Sequence, residues 1–269
     1  MRRGAVGIFD SGIGGLTVAS EIARAMPHED LIYLGDTARL PYGTRSPSTV
    51  QRYAEKAAGL LLRYPIKVLV VACNTATAYA LEHLAAATDV PVLGVISPGA
   101  DAAVRATRSG KIGVAGTEGT IRSGVYQDAI RARRPDAEIT DQTWPLLVSL
   151  AEEGWVDHPV SRLTMQTYLA PFVDAEIDTL VLGCTHYPVF KSALKEAWDA
   201  LSPSAPVALI DSAEEVTRQL TALLQDRDLT APDRVGRRTF FCTDAAERFR
   251  RVGGTFFDGD LSGASVVDL

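Results

Sequence analysis

The chain has 269 residues, with 33 acidic against 27 basic side chains, for a formal charge of −6. Its composition of 46% hydrophobic and 22% charged residues suits a globular protein with a sizeable core, and the length admits one large domain or two small ones. The acidic balance argues against a dedicated nucleic-acid binder, no apolar run reaches the ~18 residues of a membrane span, and 3 scattered cysteines form no disulfide framework and imply a reducing, cytoplasmic setting.

Met1-Arg2-Arg3-Gly4 leads into the strand-like run Val6-Gly7-Ile8-Phe9 with no signal-peptide apolar region. After the loop Asp10-Ser11-Gly12-Ile13-Gly14-Gly15, the residues Leu16, Ala19, Ile22, Ala23 and Met26 recur at helical spacing until Pro27. Leu31 to Leu34 reads as a strand, Gly35 to Thr44 as a polar loop, and Ser46-Pro47 as the cap and first turn of a helix reaching about Tyr64. Val68 to Ala72 is a continuous apolar run, as in a central parallel strand. Ser97-Pro98 is expected to cap a helix to about Arg108, ahead of a strand at Lys111 to Ala115. Further on, Ser212 and Glu215 suggest a capping box, 226–238 a polar linker, and Thr239-Phe240-Phe241 and Thr255-Phe256-Phe257 late edge strands. Alternating strands and helices predict an α/β fold with mostly parallel sheets flanked by helices.

The pattern occurs twice. Ile66 to Thr75 aligns with Ile177 to His186 at an offset of 111 residues. Val6-Gly7-Ile8 matches Ile112-Gly113-Val114 at 106, and Pro91-Val92 matches Pro206-Val207 at 115. Three matches in one order at nearly one offset predict two pseudo-symmetric α/β units facing each other across a cleft. The expected division is residues 1–97 with 207–269 as the first domain and 98–206 as the second, the C-terminal stretch returning to the first.

Cys73 and Cys184 fall at matching places, where an apolar strand ends and a helix begins. Ligands bind outside the carboxyl ends of parallel strands, and a helix N-terminus lowers a thiol pKa from ~8.5. A lone cysteine beside a valine run is ordinarily a small buried hydrophobe; the matched positions suggest two thiols in one cleft instead. Cys242 has no counterpart and reads as structural. Asn74-Thr75 and Thr185-His186 follow the cysteines, and Asp10-Ser11 and Gly116-Thr117 follow the first strand of each unit. Such amides, hydroxyls and backbone N–H groups could cradle a carboxylate. Asp10 reads as either a helix N-cap or a proton relay, and His186 as a capping histidine or an acid–base partner of Cys184.

Rival chemistries are poorly supported. Gly12-x-Gly14 with Asp36 resembles a dinucleotide fingerprint, but Thr17 stands at the third glycine and Asp10 would face the pyrophosphate. Cys184 and His186 lack further ligands for zinc, so no metal is expected. Two opposed thiols suit a cofactor-independent racemase, which needs an acid/base on each face of Cα.

These residues also resemble the glutamate racemase family over essentially the whole chain. The resemblance rests on Phe9 to Gly15, Gly35 to Arg39 with Pro41-Tyr42-Gly43, Ala72 to Ala76, and Leu182 to Pro188. It implies an isomerase without cofactor that interconverts L- and D-glutamate by a two-cysteine mechanism, supplying D-glutamate for peptidoglycan in cell-wall biogenesis and so for cell shape. Cys73 would act on D-glutamate assisted by Asp10, and Cys184 on L-glutamate assisted by His186 and Glu152. Substrate contacts would come from Asp10, Ser11, Tyr42, Gly43, Asn74, Thr75, Thr117, Thr120, Thr185 and His186. The family segment near Glu152 usually carries a proline where Ser149 stands, which leaves Glu153 as an alternative. With nine residues before Asp10, activation by a cell-wall precursor is not expected. The resemblance further implies a homodimer, and some relatives bind DNA gyrase, on which no motif here bears. Aspartate racemisation, or a binding protein without turnover, are the other readings.

Overall fold

The computed structural model describes residues 4–269. Met1 to Arg3, where the N-terminus was read as leaderless, lie outside them. No helix among the described residues is long and apolar enough to cross a membrane.

The first half runs β1 (Ala5–Asp10), α1 (Leu16–Ala25), β2 (Leu31–Gly35), a 3-10 turn (Tyr42–Thr44), α2 (Pro47–Leu61), β3 (Ile66–Val71), α3 (Asn74–Ala86), β4 (Val92–Gly94) and α4 (Ile96–Ala106). The second runs β5 (Lys111–Gly116), α5 (Glu118–Arg122), α6 (Val125–Arg133), β6 (Glu138–Thr143), α7 (Pro145–Glu152), α8 (Pro159–Asp174), β7 (Thr179–Gly183), a 3-10 turn (Tyr187–Phe190), α9 (Lys191–Leu201) and β8 (Ala208–Asp211). Then come α10 (Ser212–Asp226), β9 (Arg238–Cys242), α11 (Ala246–Gly253) and β10 (Ser265–Val266).

All strands pair in parallel, in two sheets ordered β10-β9-β2-β1-β3-β4 and β6-β5-β7-β8. The matched segments occupy equivalent positions, since β2-β1-β3-β4 and β6-β5-β7-β8 are the same arrangement. In each, the chain leaves the first strand to one side and returns on the other. This opens a crevice at the carboxyl ends of β1 and β3, and of β5 and β7. Every residue of β1 and of β7 is buried, as central strands covered on both faces must be.

Several expectations need correction. β8 pairs with β7, so the four-stranded sheet extends past the expected boundary at residue 206, as the match at offset 115 itself implied. It is α10 that returns, packing against α1, while α4 packs on α6, β7 and β8. Ser46 does cap α2, accepting from Thr49 N, but the helix ends at Leu61 rather than Tyr64. Ser97 lies inside the first turn of α4, and Asp211 rather than Ser212 caps α10, its carboxylate accepting from Ala213 N at 2.8 Å. β9 sits between β2 and β10 and is no edge. Thr255 to Phe257 is not a strand: it follows α11, with Phe256 and Phe257 buried by their bulk in the core.

Candidate active site

On one side the crevice is built from the ends of β1 and β3. Cys73 is the N-cap of α3, and its Sγ accepts from Ala76 N at 3.4 Å and donates to Ser11 Oγ at 3.5 Å. The expected depression of its pKa does not occur: burial, followed by the nearby charge of Asp10, pushes the thiol up to about 12. Cys73 therefore holds its proton at neutral pH. Asp10 is wholly buried; Oδ2 accepts from Gly12 N at 2.9 Å, and Oδ1 has no partner. Burial raises its pKa against the opposing charge of His186 and the backbone N–H groups around it. A side chain at Gly15 would overlap the Asp10 carboxyl, so that glycine makes room for it.

The opposite side comes from β7 and α7. Cys184 Sγ lies 3.8 Å from His186 Nδ1, His186 Nε2 lies 3.1 Å from Glu152 Oε1, and Arg248 Nη2 donates to Glu152 Oε2 at 2.7 Å. Burial alone would depress His186, but hydrogen bonds to Cys184 and Glu152 outweigh it and raise the imidazole to about 10. The reciprocal effect, with Arg248 adding to it, overcomes burial at Glu152 and lowers that carboxyl to about 2. His186 is thus an imidazolium against the sulfur. A Cβ at Gly14 would overlap its ring, and the Phe256 ring stands nearly perpendicular to it with centroids 5.2 Å apart.

Between the two sides lies a cavity of about 270 Å³. Of the sequence-predicted site residues, all but Asp10 and Thr120 line it. Asp10 is wholly buried next to Ser11, and Thr120 is the buried corner of a triangle of hydroxyls. In that triangle Thr75 Oγ1 lies 2.9 Å from Thr117 and 3.1 Å from Thr120, joining the two halves. Glu152 reaches the cavity, whereas Glu153 does not line it, and Ser149 stands in the wall beside Glu152. Tyr42 and Gly43 are delivered by the loop after β2. Asp36, the would-be ribose acid, is instead its anchor: it accepts from Tyr42 OH at 2.7 Å, Arg39 Nη1 at 2.8 Å and Thr243 Oγ1 at 2.9 Å. Gly43 packs on Thr117, where a Cβ would collide with the threonine side chain.

Sequence reasoning missed three supporting residues. Arg248 sits on α11, an arginine-rich helix of only eight residues whose place against Glu152, 96 residues earlier, no local sequence signal gives. Tyr126 on α6 donates to Asn74 Oδ1 at 2.8 Å, and Asp36 was weighed only against a cofactor. Among the described residues, no three His, Cys, Asp or Glu side chains converge as metal ligands.

The chain is similar to known proteins along most of its length. The family model described as Asp/Glu/hydantoin racemase matches residues 16–220. A glutamate racemase of Geobacter metallireducens is 50% identical over 266 residues, covering 98% of this chain and 97% of that protein. Among solved structures, a glutamate racemase isoform of Bacillus anthracis is 38% identical with a TM-score of 0.92, covering 100% of this chain and 99% of that one. The glutamate racemase of Francisella tularensis in complex with D-glutamate is 34% identical with a TM-score of 0.91, covering 100% and 98%.

Proposed function

The chain belongs to the Asp/Glu/hydantoin racemase family and, within it, to the glutamate racemases; on that premise we propose that Cys73 and Cys184 exchange the Cα proton of glutamate across the cavity. The observation that carries this reading is the delivery of two thiols into one cavity from equivalent strand ends of a repeated fold. With L-glutamate, the Cys184 thiolate takes the Cα proton and the Cys73 thiol delivers its own to the opposite face. D-glutamate reverses both roles. One proton is removed and one added, and the two sulfurs end with their protonation states exchanged.

The surroundings support the assignments. His186, charged and tied to Glu152, assists Cys184 as electrostatic partner and proton store. Asp10, with an unpaired buried oxygen, assists Cys73. Ser11, Asn74, Thr75 and Thr185 present hydroxyls and an amide for the substrate carboxylates, at the N-terminal end of α3 where the helix dipole favours an anion. Tyr42, Gly43 and Thr117 complete the enclosure. The family resemblance further supports a cytoplasmic homodimer supplying D-glutamate for peptidoglycan.

Incubation with L-glutamate in D2O, without added cofactor, should place deuterium at Cα as the circular dichroism signal decays, with aspartate turned over far more slowly. Cys73→Ser and Cys184→Ser should each lower racemisation by about a thousandfold or more. Near-normal racemisation by either variant would refute the two-thiol reading.

A further inference from the structure

Tyr126 is completely buried on α6, in the half of the molecule that carries Cys184. Its hydroxyl crosses to the other half, donating to Asn74 Oδ1 at 2.8 Å and meeting Ser212 Oγ at 3.0 Å. Because the amide carbonyl is occupied by Tyr126, the orientation of the Asn74 side chain is fixed. Its other end, Nδ2, is buried without a partner on a residue that lines the cavity. A buried amide N–H left unsatisfied costs about 1–3 kcal/mol, which an acceptor arriving with a ligand recovers. The ring is held as tightly as the hydroxyl. A Cβ at Gly183, the residue before Cys184, would come within 3.1 Å of ring carbon Cε2, and one at Gly99 within 3.2 Å of the hydroxyl. One side chain therefore packs under the strand end bearing Cys184 and grips the residue after Cys73.

We propose that Tyr126 is a positioning residue that turns the Asn74 amide so that its NH2 group binds a substrate carboxylate, and that keys this donor to the Cys184 strand end. The inference rests on glutamate turnover in this cavity and specifies how the substrate is held there. Without the hydroxyl the amide is free to rotate, and either of its ends can face the ligand. Substrate binding suffers while the sulfur chemistry is spared.

Tyr126→Phe keeps the ring and removes only the hydroxyl. KM for both enantiomers should rise about tenfold while kcat falls less than threefold. A merely structural role would reduce the amount of active protein, lowering the apparent kcat and leaving KM alone. In a double-mutant cycle, Tyr126→Phe added to Asn74→Ala should change KM by less than about twofold, because the residue through which it acts is gone. Gly99→Ala, whose Cβ would stand 3.2 Å from the hydroxyl and 3.4 Å from both ring carbon Cε1 and Ser212 Oγ, should raise KM about threefold and serves if Tyr126→Phe does not fold. An unchanged KM in Tyr126→Phe or, failing that variant, in Gly99→Ala overturns the proposal, as does full additivity in the cycle. Deuterium incorporation by the unmodified protein, run alongside, fails only if the parent reading fails.

Discussion

Cys73 and Cys184 come from equivalent strand ends, yet their surroundings differ. Cys73 faces a buried carboxyl and holds its proton; Cys184 faces an imidazolium backed by Glu152 and Arg248. Enantiomers are equal in free energy, so kcat/KM must be the same in both directions for any variant. The asymmetry can surface only in kcat and KM separately, or in exchange without inversion. Cys73→Ser should retain exchange of the Cα proton of L-glutamate with solvent while inversion is lost, and Cys184→Ser should do the same for D-glutamate. Proton NMR in D2O reads both, and exchange of the wrong enantiomer would reverse the assignment. Glu152→Gln should lower kcat about ten- to hundredfold. The raised pKa of His186, about 10, survives burial through its hydrogen bonds to Cys184 and Glu152. Replacing the carboxylate removes one of the two partners that oppose burial, so the imidazolium loses its proton at lower pH. The alkaline limb of the rate profile should therefore move to lower pH; a limb that stays in place would separate His186 from catalysis.

At the scale of elements, the loop after β2 shows how a site residue is held by one that never touches the cavity. Asp36 gathers three donors, from Tyr42, Arg39 and Thr243, and so binds the loop both to itself and to the end of β9. Asp36→Ala leaves three polar groups without their acceptor and should destabilise the fold by about 2–4 kcal/mol. It should also raise KM, because Tyr42 and Gly43 lose their anchor. Thermal unfolding and steady-state rates check the two effects independently, and an unaltered KM would mean that the loop keeps its shape without Asp36. The same loop marks what could be read from the sequence. Residues beside strand ends, such as Cys73, Asn74 and Cys184, were legible because an apolar run followed by polar residues fixes their place in a parallel sheet. The partners of Asp36, Glu152 and Asn74 were not all legible, since Thr243, Arg248 and Tyr126 arrive from elements remote in sequence. Arg248 rides on a helix of only eight residues, and Thr255 to Phe257 looked like a strand because buried aromatics need no particular backbone.

For the molecule as a whole, the repeat in the sequence corresponds to two sheets of matching order, and its third match placed β8 correctly where the assumed boundary did not. The halves meet through the threonine triangle, through Tyr126 and Asn74, and through Arg248 and Glu152, so cavity and interface are one structure. The His186–Glu152 pair makes the stability of this assembly depend on pH. His186 is raised from 6.5 to about 10, so its contribution is fully present below about pH 6.5 and is lost as pH rises through about 10. Glu152 is lowered from 4.5 to about 2, so its contribution is fully present above about pH 4.5 and is lost as pH falls through about 2. The two share the His186–Glu152 contact, so they do not simply add, while Cys184 contributes further to the first and Arg248 to the second. Urea unfolding of the unmodified protein and of Glu152→Gln should differ most between about pH 4.5 and 6.5, by about 2 kcal/mol. The difference should narrow on both the acid and the alkaline side. A gap that stays constant from about pH 2 to about pH 10 would mean that the pair is no more favourable in the folded protein than its separate charges are in water.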